Sequence, residues 1–177
     1  TIEKYGQKVA GKFHRGGRNG GGEWASAVDR DRVRALQLFD AARKLVVDES
    51  PSDDLGSFYS TFAGAIQSVE AYRLQALTDL SVLPDYSDET PWGWRAGSQP
   101  QGAPVDAEGN PVYYQLPESW DAAKSDGERW RWLLAQAAKV SDEYRDRAGL
   151  QFADFLLGQF GTQTMAGRIT PYQSMEE

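Results

Sequence analysis

Residues 52–69 read SDDLGSFYSTFAGAIQSV, and their apolar side chains recur every three or four positions. This spacing is typical of a helix that packs one face against a core. Two aspartates stand in the first turn, where carboxylates oppose the positive end of the helix dipole. The pattern predicts a helix that begins at Ser52 and extends to Leu77 or Leu80. Its predicted core face consists of Leu55, Phe58, Tyr59, Phe62, Ile66 and Val69.

The same periodicity predicts three further helices. Ser26 and Asp29 have the spacing of a capping box, so a helix is expected to begin there and to end at Pro51. Asp126 is the expected cap of another helix, and the last one is expected from about residue 141 to 160.

Residues 81–117 interrupt this helical pattern. They contain six prolines and several glycines, so no helix of useful length fits. Within them, residues 103–114 are predicted to form a β-hairpin, with its turn at Glu108-Gly109-Asn110. The predicted fold is therefore mostly α: antiparallel helical hairpins, similar to tetratricopeptide repeats, with an irregular Pro/Gly/Trp-rich insertion that carries a small β-hairpin.

A short internal repeat supports the helical hairpins. RVRAL at residues 32–36 and RWRWL at residues 129–133 each stand at the beginning of a predicted helical pair. Two such pairs of about 40 residues each match the size of a helical-repeat unit. The alternative is a chance likeness between two amphipathic helical pairs.

The two ends of the chain differ from its middle. Residues 1–22 are basic and rich in glycine, and we expect a truncated helix end over residues 1–13 and a mobile loop over residues 8–22. Residues 23–161 form the predicted helical domain, and residues 162–177 are a predicted tail or linker. Because the chain begins with Thr1, a piece of a longer or processed protein is expected.

The composition excludes several classes of function. The chain has no cysteine and a single histidine, which removes disulfide scaffolds, thiolate zinc sites and cysteine nucleophiles. No phosphate-binding or nucleophile motif is present, so we predict a protein that is not an enzyme and has no cofactor, metal site or catalytic residue. No apolar run approaches the ~20 residues that a membrane-spanning helix needs, so we expect no membrane span in this segment.

Arg15 and Arg18 are candidate binding residues of the basic glycine-rich segment. HRGGRNG at residues 14–20 is similar to the Arg/Gly segments that bind RNA. The motif occurs once, however, in a chain of net charge -7, and repulsion from phosphates opposes such binding. We therefore expect no nucleic-acid partner and keep RNA binding as the second alternative function.

Trp92, Trp94 and Trp120 are candidate binding residues in and next to the insertion. Flat aromatic rings beside carboxylates are typical of surfaces that bind or act on glycans. A structural role is the competing interpretation, in which Trp92 and Trp94 attach the irregular insertion to the helices. A glycan-binding or glycan-active domain is therefore the first alternative function.

Several blocks of the sequence, taken in order, resemble the N-terminal helical region of very large bacterial alpha-2-macroglobulin-like proteins. The resemblance covers most of residues 8–165. Its blocks are VAGKF (9–13), RGG (15–17), DRVRALQ (31–37), RLQ (73–75) with LTDL (77–80), LPDY (83–86), GAPVD (102–106) with GNPV (109–112), SDGERWRW (125–132) and FADF (152–155).

Alpha-2-macroglobulins are protease-trapping proteins of the cell envelope, built from β-sandwich domains and often carrying a Cys-Gly-Glu-Gln thioester. This chain has no cysteine and no sandwich pattern, so the resemblance implies an appended helical module and no catalytic residue is carried over. The expected function is a non-enzymatic interaction or scaffold module, located in the cell envelope or periplasm, that binds a protein partner or spaces neighbouring domains.

Overall fold

The computed structural model describes residues 5–15, 22–67, 71–87, 108 and 113–160. This part of the chain is mostly helical and carries a small antiparallel sheet of three strands. The predicted mostly α fold is therefore confirmed at this level.

The three strands lie before the first helix. They are β1 (Tyr5–Val9), β2 (Lys12–Arg15) and β3 (Glu23–Ser26), and β1 is the central strand, paired antiparallel with both neighbours. Ala10 and Gly11 connect β1 to β2 with φ angles of 49° and 75°. Positive φ at both central residues is typical of the tight turns that match the twist of a hairpin.

The expected helix end over residues 1–13 is wrong where the structure describes it, and so is the expected loop over residues 8–15. Tyr5, Val9 and Phe13 are four apart, and this spacing fits one face of a strand as well as one face of a helix. The turn at Ala10-Gly11 then reverses the chain, so that Lys8 lies opposite Phe13. Residues 16–21, the rest of the expected loop, lie outside the described residues.

Four α-helices are present in the described residues. They are α1 (Val28–Leu45), α2 (Asp53–Gln67), α3 (Asp126–Val140) and α4 (Asp142–Phe160). A short 3-10 helix, Ala71–Gln75, lies between α2 and α3 in the chain.

Three predicted helix boundaries are wrong. The helix expected to end at Pro51 ends at Leu45, and at the other two boundaries tertiary contacts compete with the local pattern. Ser26 is the last residue of β3 and exchanges backbone hydrogen bonds with Ser87, so α1 begins later than the capping-box spacing indicates. The predicted extension of α2 to Leu77 or Leu80 is replaced by the 3-10 helix and an irregular segment. The Ala76 carbonyl in that segment accepts a hydrogen bond from the backbone N–H of Asp126.

The beginning of α3 was correctly predicted, but Ser125, and not Asp126, is its N-cap. The Ser125 hydroxyl accepts from the Glu128 N–H at 3.1 Å, and the Glu128 carboxylate accepts from the Lys124 N–H at 2.7 Å. This arrangement satisfies the Glu128 N–H, which the first turn of the helix leaves free, and the N–H of Lys124 just before the cap. Asp126 is thereby released for contacts inside the fold.

The core lies where α2 packs against α3 and where α3 packs against α4. Most of the predicted core positions are buried, and Phe62, Trp130 and Leu133 have no exposed area. Phe62 stacks on Phe39 of α1 at a centroid distance of 4.9 Å, and Trp130 lies 4.7 Å from Phe155 of α4. Rings from all four helices therefore share one core.

The predicted β-hairpin at residues 103–114 lies outside the described residues, apart from Glu108, Tyr113 and Tyr114. The described edges of the insertion, residues 81–87 and 113–117, contain no helix. One edge is attached to the sheet, because Tyr86 stacks on Phe13 of β2 at a centroid distance of 3.9 Å.

Candidate functional site

Arg15, a predicted RNA-binding residue, attaches the sheet to α1. Its guanidinium forms two contacts with the Asp31 carboxylate, of 2.7 and 2.8 Å. A paired geometry of this kind satisfies the arginine within the protein. Arg18 lies outside the described residues, so RNA binding through this residue stays a prediction.

Trp120, a predicted glycan-binding residue, belongs to the core. It is 3% exposed and lies 4.9 Å from the ring of Phe62. The guanidinium groups of Arg129 and Arg43 lie over its ring, 4.8 and 5.1 Å from the centroid. An aromatic ring stacks on a sugar only where its face is accessible, so the expectation of a sugar contact at this residue is wrong.

Trp92 and Trp94 lie outside the described residues, and their glycan contact stays a prediction.

The sequence pattern did not predict that arginine side chains pack on the ring of Trp120. Arginines in amphipathic helices are usually assigned to the solvent side, whereas here two of them cover the ring that links α2 to α3.

A buried carboxylate connects three parts of the fold. Asp126 is 1% exposed and lies 2.9 Å from the guanidinium of Arg32 on α1 and 3.5 Å from that of Arg129. It also accepts from the Thr78 backbone N–H at 3.0 Å and from the Thr78 hydroxyl. All of these contacts are internal, so this cluster stabilises the fold and presents no accessible acid or base.

Among the described residues, α3, α4 and the extended segment 113–116 form a concave surface. We call it the α3–α4 groove, and it is defined by Tyr113, Leu116, Arg131, Phe152, Phe155 and Leu156. It contains a hollow of about 300 Å³, and a second hollow of about 220 Å³ lies next to it against Ala135 and Ala138. Leu116, Arg131 and Phe152 border both hollows.

Of the charged side chains in the described ranges, Arg131 alone borders both hollows. Its guanidinium carbon lies 3.5 Å from the centroid of the Phe152 ring. Within the part of the chain that the structure describes, no carboxylate lies within ion-pair distance of this guanidinium, and no acceptor is hydrogen-bonded to it. Burial lowers the pKa of Arg131 below its ordinary value.

The apolar residues at the edge of the groove are accessible. Leu116 is 54% exposed and Tyr113 is 58% exposed, although both are large apolar side chains. On the other side of Phe155, a further hollow of about 440 Å³ is bordered by Gln67, Leu150 and Asp154. An accessible concave surface of this composition is typical of a peptide-binding site.

Tyr114 forms the base of the groove beside α3. Its ring packs directly over Gly127, where an added Cβ would overlap the ring carbons. Its hydroxyl is buried and has no hydrogen-bond partner among the described residues. Burial raises the pKa of Tyr114 to about 12, because the phenolate loses its hydration.

We expect Tyr114 to titrate late in alkali. The absorbance of tyrosinate, followed against pH, should contain a step at about pH 12 that is absent from Tyr114→Phe but still present in Tyr113→Phe. The Tyr114 hydroxyl ionises near pH 10.0 in the unfolded chain and near pH 12 in the folded chain. The unfolded state therefore releases this proton first, and the free energy of unfolding should fall as the pH rises through that interval. Identical curves for the wild type and Tyr114→Phe would contradict this assignment.

Sequence analysis did not identify the α3–α4 groove. The periodic pattern of α4 assigned Phe152, Phe155 and Leu156 to the core, whereas in the structure all three also border the groove. Periodicity along one helix does not distinguish these two roles. The contribution of Leu116 depends on how segment 113–116 crosses α3 and α4, which periodicity does not predict.

Comparison of the chain with family models, with curated proteins and with solved structures finds no match. Among the described residues, no three His, Asp or Glu side chains are grouped closely enough to hold a metal ion. None of the described helices is long and apolar enough to cross a membrane.

Proposed function

We propose that the chain is a non-enzymatic helical module that binds a protein partner through the α3–α4 groove. The observation that carries this proposal is the combination of accessible apolar residues with a half-buried arginine, Arg131, that has no ion-pair partner among the described residues. Helical modules commonly bind peptides in grooves between packed elements.

The proposed fold in detail is a pair of helical hairpins similar to tetratricopeptide repeats. The two repeat blocks support it, because their corresponding residues have similar environments. Arg32 and Arg129 both lie against Asp126, at 2.9 and 3.5 Å. The residues that follow them in each block are also buried in pairs: Val33 and Trp130, and Leu36 and Leu133.

The proposed context is a larger cell-envelope protein of the alpha-2-macroglobulin type, in which this module binds a partner or spaces domains. It rests on the resemblance of the ordered sequence blocks. Contacts between separate blocks support reading them as one unit. Phe13 of the block at 9–13 stacks on Tyr86 of the block at 83–86, and Arg32 of the block at 31–37 lies 2.9 Å from the Asp126 carboxylate of the block at 125–132.

Selection from a library of short random peptides displayed on phage tests the proposed function. The immobilised chain should enrich peptides that bind reversibly, and the variant Leu116→Ala should bind them more weakly. Leu38→Ala is the matched control, since Leu38 is 57% exposed on α1 and does not border the groove. Failure to enrich any peptide, or equal loss of binding in both variants, would contradict the proposal.

A further inference from the structure

Arg131 is a cation without a counterion among the described residues. Its immediate surroundings are apolar: it stacks on Phe152, and Leu116 lies on the same border of the two hollows. Removing a guanidinium from water is costly unless a carboxylate or another acceptor compensates it. The other arginine that borders these hollows, Arg145, is already paired with Asp142.

The shape of the groove sets a second condition on the ligand. Arg131 lies on the shared border of the hollows of about 300 and 220 Å³, both of which are lined mainly by apolar side chains. A ligand that reaches the guanidinium therefore has apolar surface available on either side of it. A polypeptide segment meets this condition, because successive side chains enter neighbouring hollows while one of them supplies the charge.

We propose that the α3–α4 groove binds a peptide segment of a partner protein in which an aspartate or glutamate is flanked by large apolar residues. The carboxylate accepts hydrogen bonds from the Arg131 guanidinium, and the apolar side chains occupy the two hollows beside Leu116 and Phe152. This inference rests on the proposed function and specifies the chemistry of the partner. Charge complementarity selects the acidic residue, because a planar guanidinium binds a carboxylate with two parallel hydrogen bonds.

The acidic character of the whole chain makes this recognition local. With a net charge of -7, the protein does not attract acidic peptides over long distances. Binding of an acidic segment therefore depends on contact with Arg131, and a basic segment has no carboxylate to offer it. The pairing of Arg131 with a carboxylate therefore affects the specificity of binding more than it affects the association rate.

The experiment compares a phage-selected peptide with its amide counterpart, in which the acidic residue is changed to Asn or Gln. Isothermal titration with the wild-type chain should give a Kd about tenfold to a hundredfold weaker for the amide peptide. The Arg131→Gln variant should bind the acidic peptide with a Kd weakened to a similar extent. Its Kd for the amide peptide should be little weaker than that of the wild type for the amide peptide. This non-additivity is the signature of a direct pair.

Two controls separate the pair from general effects. Arg34→Gln removes an exposed arginine of α1 that donates to Gln37 and lies outside the groove, so it should leave both Kd values unchanged. Leu116→Ala should weaken the acidic and the amide peptide equally. The peptide substitution leaves the protein intact, so its result holds even if Arg131→Gln folds poorly.

The outcomes distinguish the inference from the proposed function. If peptides bind at the groove but show no dependence on their carboxylate, the partner chemistry is wrong while the docking function stands. If a carboxylate dependence persists in Arg131→Gln, another cation binds the peptide and the inference is also wrong. If no peptide binds at all, both proposals fail.

Discussion

Replacing Asp126 with alanine should lower the free energy of unfolding by about 3–5 kcal/mol. The carboxylate is almost completely buried and is bonded to Arg32 and Thr78, with Arg129 at 3.5 Å. Without it, the Thr78 N–H loses its acceptor and two arginines lose their internal counterion. Urea-induced unfolding, followed by the fluorescence of the buried tryptophans, measures the change.

Asp142→Ala is the matched control for this substitution. Asp142 is the first residue of α4, as Asp126 is of α3, and each has an arginine three positions later. The side chain of Asp142 is 87% exposed, so its ion pair with Arg145 contributes at most about 1 kcal/mol. Equal losses for the two variants would contradict a structural role for the buried carboxylate.

Replacing Gly127 with alanine should lower the free energy of unfolding by about 1–3 kcal/mol, although alanine has the higher helix propensity. The new methyl group would overlap the ring of Tyr114, which packs directly over this position. The same unfolding experiment applies. Combining Gly127→Ala with Tyr114→Ala should cost less than the sum of the two single changes, since the second change removes the overlap.

Gly64→Ala provides a control of the opposite sign. Gly64 is a helical glycine of α2, and an added Cβ there meets no other atom within 4 Å. Alanine should therefore stabilise the protein by about 0.5–1 kcal/mol, through a smaller loss of backbone entropy on folding. If Gly127→Ala also stabilised the protein, this result would contradict the close packing of the Tyr114 ring over Gly127.

The apolar periodicity correctly predicted the four helices and most of the core. Leu55, Tyr59, Phe62 and Ile66 are buried on one face of α2, as their spacing indicates. This success has a simple origin, because the position of a side chain around a helix follows from its number alone. The tetratricopeptide-like arrangement and the β-hairpin of the insertion remain predictions.

The errors arose where two local patterns fit the same residues or where a distant residue competes. Tyr5, Val9 and Phe13 suit a helix and a strand equally well, and the turn at Ala10-Gly11 decides between them. The expected end of α2 failed because residues 76–78 bond to Asp126, far along the chain.

The candidate site was not predictable by the same reasoning. The alternative of a glycan contact at Trp120 required an accessible ring, yet two arginines and Phe62 enclose this ring in the core. Sequence analysis used Arg131 only as part of the repeated motif RWRWL and assigned it no binding role. Its proposed binding role depends on whether a carboxylate lies beside it in the folded chain, and the residue pattern of a single helix does not predict this.

The amino-acid sequence alone determined the helical class, the main core positions and the absence of cysteine chemistry, because these depend on composition and on spacing along a helix. Tertiary structure decided the strands near the beginning of the chain, the buried position of Trp120 and the α3–α4 groove, where Arg131 stacks on Phe152 and has no counterion within the described residues. Pairing of charges, stacking of rings and exposure of a groove join residues that are far apart in the chain, so they become defined only when the helices pack.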